Sequence, residues 1–148
     1  MRGIAAYKSS NVQSASPQRI IVMLYQAALL RLTKGSDALE VGEHDDVLAH
    51  SRHVRAIITE LRAALDHGVA PELCSHLDRI YGWSILELAQ VERATVARST
   101  ESDGSVDEAE REAAIEADVE RFAGVYKALE VLLDGWEEVA RSGGREAA

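Results

Sequence analysis

From Ile115 to Trp136 the large apolar residues fall at Ile115, Val119, Phe122, Tyr126, Leu129, Leu133 and Trp136, spaced alternately by four and three. A strand would place such residues at spacings of two. This spacing draws a single line down a helix and marks the seam of a helix packed at a shallow angle against neighbours. Val125, Leu132 and Val139 form a second line beside it. A chain built around this element has to supply other helices to cover it.

The rest of the 148 residues supplies them. Only two prolines occur, Pro17 and Pro71, and both suit the first position of a helix. Ser16 before Pro17 offers a capping hydroxyl. The first helix then runs from there past Lys34, and between Ile20 and Leu30 only Gln26 is polar. Ile21, Tyr25, Ala28, Leu29 and Leu32 line one of its faces, and Ile20, Met23, Ala27 and Leu30 line another. A turn is expected near Gly42, with Asp45 and Asp46 at the next helix N-terminus, where the dipole favours negative charge. Val47, Val54, Ile58, Leu61 and Leu65 make the stripe of a second helix, which Gly68 is expected to stop. A third helix begins at Pro71 and uses Leu73, Leu77, Ile80, Tyr81, Leu88 and Val91, with Trp83, Ile85 and Leu86 off that stripe. Arg98 to Gly104 reads as a loop, and Ser105 with Glu108 has the form of a capping box opening the last helix. Four helices on short connections favour an all-α antiparallel four-helix bundle. The expected organisation is an N-terminal arm over residues 1–15, a bundle over 16–141 and a disordered tail over 142–148.

Charge narrows the function classes. The net charge is −9, and the stretch from Glu101 to Glu120 carries −8 of it. Nucleic acid and anionic membrane surfaces call for basic faces, so neither is an expected partner. No apolar run reaches the roughly 18 residues of a membrane span, the N-terminus lacks a signal-like apolar region, and the single Cys74 cannot form an internal disulfide. A cytoplasmic location follows as the expectation.

Chemistry is hard to assemble from these residues. The histidines nearest one another, His44, His50 and His53, would be the basis of a metal site. Di-iron bundles, however, use a Glu with a His three residues later, and no carboxylate here has a His at that offset. Cys74 and His76 point to different sides of a helix and have no evident third group. There is no Gly-rich phosphate loop. The expectation is a non-enzymatic protein with no cofactor, no metal and no small-molecule substrate. The informative feature is the apolar excess on the first and third helices. Periodicity alone leaves two readings of it open: bundle helices that each touch two neighbours, or a groove for an amphipathic partner.

Specific residues add to this. Ala6-Tyr7 precedes a short polar stretch and then Ala15-Ser16-Pro17. Met23-Leu24-Tyr25 follows, then Ile57-Ile58-Thr59-Glu60-Leu61 with Leu65-Asp66 behind it. Tyr81 comes after Ile80, Leu88 stands later in that helix, and Leu132 and Trp136 close the series. In this order and spacing the chain resembles the FliS family of flagellar export chaperones from about residue 5 to 140. It departs from the family's habit at Gln26-Ala27, near His50-Ser51, and in a longer acidic stretch at residues 99–113.

The resemblance implies a bundle that binds the C-terminal segment of flagellin, disordered when free. Binding would prevent premature polymerisation and deliver the subunit to the flagellar type III export apparatus. It also implies that Tyr7, with Ile4, lies over apolar surface when no client is bound, and that Met23, Leu24, Tyr25, Ile57, Leu61 and Tyr81 form or support the groove. By periodicity each of those six serves equally well as core. The alternative reading is a helical-bundle adaptor or regulator for an amphipathic helix of another client.

Overall fold

The computed structural model describes residues 16–101, 104 and 106–147. Among them are four helices and no strand: α1 (Pro17–Val41), α2 (His44–Ala63), α3 (Pro71–Ser99) and α4 (Glu108–Ala147). The expected arm over residues 1–15, with Ile4 and Tyr7, lies outside the described residues, as does Ser105 of the expected capping box.

Local chemistry explains most of the helix ends. Ser16 is extended at φ −65°, ψ 158°, and its side chain accepts from the Arg19 N–H at 3.1 Å, with Pro17 in the first helical position. At the other end of α1, Gly42 is left-handed at φ 76°. Glu43 N–H donates to the Ala38 carbonyl at 3.0 Å and Gly42 N–H to that of Leu39 at 3.4 Å. These are the paired bonds of a Schellman stop, and they reverse the chain within two residues. α2 must then run back along α1, with Asp45 and Asp46 in its first turn.

The second boundary departs from expectation. α2 ends at Ala63, and Gly68 lies in the connection without a positive φ. Asp66 supplies the reason, because its side chain accepts from the Gly68 N–H at 3.1 Å. Such a local bond offers the backbone an alternative to the helix. Its carbonyl also accepts from the N–H groups of Val69 and Ala70. One further boundary shifts: α3 continues through Arg98 to Ser99. α4 runs on to Ala147. No proline interrupts either stretch, and an established helix propagates at one bond per added residue.

The helices form a ring in which α1 packs on α2 and α4, and α3 packs on the same two. Leu24, Tyr25 and Ala28 of α1 meet Val54 and Ile58 of α2, Leu88 and Val91 of α3, and Phe122, Val125 and Leu129 of α4 in one buried core. Each large side chain removed from water contributes about 1.5–3 kcal/mol. The seam read from α4 lies in or against this core along its whole length. At Gly35 of α1 both α2 and α4 pass close: a methyl group there would stand 3.0 Å from Phe122 Cε2 and 3.4 Å from His50 Cβ.

Two polar clusters tie the ring together. Between α2 and α3, Glu92 accepts from Arg55 Nε at 3.0 Å, Arg55 Nη2 at 2.8 Å and Ser51 Oγ at 3.0 Å. Between α3 and α4, Arg98 pairs with the buried Asp118 at 2.7 Å.

A candidate docking groove at one end of the bundle

The early stop of α2 has a consequence at that end of the molecule. An apolar groove of about 420 Å³ is lined by the start of α1, residues of the 64–70 connection, α3 and Trp136. Pro17, Ile20 and Ile21 of α1 form one wall. Leu61, Leu65 and Val69 form the second, Leu73, Cys74, Leu77 and Tyr81 of α3 the third, and Trp136 of α4 closes the space. Val69 and Leu73 stand on its rim, 79% and 55% exposed. Exposed large side chains beside an apolar cleft are unusual unless something covers them.

The floor of the groove is polar underneath. Tyr81 is 1% exposed, and its hydroxyl is hydrogen-bonded to that of Tyr25, which in turn accepts from Trp136 Nε1 at 3.3 Å. This chain joins α3, α1 and α4. Burial pushes both phenols above their ordinary value of 10.0. Cys74 is buried, and its thiol donates to the Asp66 carbonyl at 3.3 Å.

The sequence-derived site residues divide three ways. Leu61 and Tyr81 line the groove, and Tyr25 supports it through Tyr81. Leu24 and Ile57 are buried in the core, and Met23 is half-buried outside the groove. Ile4 and Tyr7 lie outside the described residues. Sequence reasoning did not single out Ile20, Ile21, Leu65, Val69, Leu73 or Trp136 as groove positions. Leu73 carried a usable signal: it fell on the stripe of α3 at a point where α2 has already ended and offers no partner.

The other end of the bundle is different in character. There Glu40 of α1 and Glu112 and Glu116 of α4 surround Ile115 and Val119. The acidic stretch therefore sits a helix length away from the groove. His50 Nδ1 is 3.2 Å from Arg31 Nη1 and acts as its acceptor, and burial together with this guanidinium lowers the histidine's pKa from 6.5. His53 is shifted the same way for the same reasons. Among the described residues no group of three or more His, Cys, Asp or Glu is arranged to hold a metal ion, and no helix is long and apolar enough to cross a membrane.

The groove combines apolar walls, a buried tyrosine at its floor and an exposed apolar rim. The family model for the flagellar protein FliS matches residues 1–143. The flagellar secretion chaperone FliS of Salmonella typhimurium is 33% identical over 107 residues, covering 67% of this chain and 77% of that protein. The flagellar secretion chaperone FliSB of Pseudomonas aeruginosa is 33% identical over 81 residues, covering 55% of this chain and 64% of that protein. With a match that runs over nearly its whole length, the chain belongs to the flagellar protein FliS family.

Proposed function

We propose that this protein is a cytoplasmic secretion chaperone that binds the C-terminal segment of flagellin, keeps it from polymerising and delivers it to the flagellar export apparatus. The observation that carries the reading is the open apolar groove bordered by Leu73, Val69 and Trp136 in a chain of this family. A subunit that assembles through amphipathic terminal segments has apolar faces to cover before assembly, and an apolar groove covers them without any chemistry. Ordering a disordered segment costs about 2–5 kcal/mol of the gross interaction, which leaves the complex specific yet releasable.

Pro17, the first residue of α1, lines the groove. In this account Tyr7 and Ile4 cover the groove until the client displaces them. Tyr7→Ala is then expected to change client affinity while leaving the unfolding midpoint in place.

Calorimetric titration with the C-terminal segment of the same organism's flagellin, followed in parallel by circular dichroism, tests the reading. A saturable 1:1 complex with gained helix and a negative heat-capacity change is expected. Absence of binding by a folded protein would turn the assignment toward an adaptor for another amphipathic helix.

A further inference from the structure

α3 carries a second line of residues on the side away from the core. Arg79, Trp83, Leu86, Gln90, Arg93 and Ala97 follow one another by alternate steps of four and three, and all are exposed. On a helix this spacing draws one seam, the form in which two helices meet at a shallow angle. Tyr81, Leu88 and Thr95 are buried on the opposite side. Trp83 is 42% exposed and Leu86 64% exposed, and neither lines the groove. The indole leans on α4, since a methyl group at Gly124 would stand 3.5 Å from Trp83 Cη2.

Charge defines what fits this line. Between Ser75 and Ala97 the carboxylates of α3 are Asp78, Glu87 and Glu92, and each is turned to a neighbouring helix. Asp78 pairs with Arg62, Glu87 with Arg121 and Glu92 with Arg55. Arg79 and Arg93 make no ion pair among the described residues. A helical rise of about 1.5 Å per residue sets these two arginines about 21 Å apart, with Trp83 and Leu86 between them. A chain of net charge −9 therefore shows here an outward seam that is apolar in the middle and cationic on both sides.

The chain's own segments do not match the seam. Residues 1–15 contain Arg2 and Lys8 and no carboxylate. Two copies of the seam set antiparallel about Leu86 would face Arg79 with Arg93, and set parallel would face each arginine with itself; both pairings repel. The acidic stretch of a second copy brings carboxylates, but its Ile115 and Val119 are packed against their own core.

We propose that the outer seam of α3 docks an acidic amphipathic helix of a second protein, separate from the segment held in the groove. Trp83 and Leu86 meet its apolar side chains, and Arg79 and Arg93 meet its carboxylates. This surface stands independently of the flagellin reading.

The test uses two synthetic helical peptides of about 21 residues, each with a leucine seam spaced by four and three. Glutamates flank the seam in one peptide and lysines in the other, and fluorescence anisotropy follows binding to the full-length protein. The glutamate peptide is expected to bind saturably, and more weakly as salt is raised, while the lysine peptide does not bind. Leu86→Gln should weaken binding about tenfold with the unfolding midpoint in place. Arg79→Glu combined with Arg93→Glu should exchange the ranking of the two peptides, which general adhesion of an apolar peptide would not do. Excess flagellin C-terminal peptide should leave the signal unchanged, because the groove and the seam share no residue. Absence of binding, equal binding of both peptides, or indifference to both variants would overturn the proposal. Displacement by the flagellin peptide would make the seam part of the flagellin site. A dimer of the unaltered protein in sedimentation, abolished by Leu86→Gln, would make it a contact between copies. Either result would overturn the separate partner.

Discussion

Arg98 and Asp118, twenty residues apart on neighbouring helices, meet at 2.7 Å with their side chains only 7% and 2% exposed. The pair clamps α3 to α4 close to the loop that joins them, and Arg121 adds a longer contact to the same carboxylate at 3.4 Å. Removing the guanidinium strands a buried charge. Arg98→Ala is therefore expected to destabilise the protein by about 3–5 kcal/mol in urea unfolding, and the double change Arg98→Met with Asp118→Leu by distinctly less. Equal losses in both would mean that packing, not the charge, matters there.

Two glycines in helix interiors should respond oppositely to alanine. At Gly35 the new methyl meets Phe122 at 3.0 Å, and the crowding outweighs the roughly 1 kcal/mol gained in helix propensity. Gly135 is exposed and has no neighbour within 4 Å of an added methyl. Gly35→Ala should lower the unfolding midpoint and Gly135→Ala should raise it, the latter by about 0.5–1 kcal/mol. Thermal unfolding of the two variants decides the matter.

The buried phenols set an alkaline limit. Tyr25 and Tyr81 stay neutral in the folded protein above the pH near 10.0 at which an unfolded tyrosine ionises. Their stabilising effect is complete below that value and is lost as pH rises toward the folded-state pKa, because the unfolded chain releases protons that the folded one keeps. Stability should fall steeply above pH 10. Tyrosinate absorbance should show that two of the chain's four tyrosines titrate only as the fold is lost.

Leu73 separates binding from folding. Its side chain stands on the groove rim and is half exposed, so Leu73→Lys should leave the unfolding midpoint nearly unchanged. On the proposed function a cation here meets the client's apolar side chain, and a loss of more than about 1 kcal/mol should weaken binding by at least about fivefold. Calorimetry on the folded variant measures this directly.

How much of this was legible in the residues depends on range. Ser16-Pro17, Gly42 and Pro71 mark helix ends correctly because each acts on its own few neighbours. Gly68 misleads for the same local reason: the Asp66 side chain two residues earlier settles that connection. The α4 seam was readable because one period runs unbroken through it. The Ser51–Glu92–Arg55 cluster and the Arg98–Asp118 pair were not, since they depend on how far one helix slides along the next. The groove falls between these cases. Leu61 and Tyr81 were read from motif likeness, yet Leu73, Val69 and Trp136 become groove residues only through where α2 stops and where α4 passes.

On the proposed function, the C-terminal segment of flagellin lies in this groove. The most direct measurement places a photo-crosslinking amino acid at Leu73, illuminates the complex with full-length flagellin, and maps the adduct by mass spectrometry. A single major adduct within the C-terminal segment of flagellin is expected, suppressed by excess free C-terminal peptide. An adduct elsewhere in flagellin, or none from a protein that still binds its client, would contradict it.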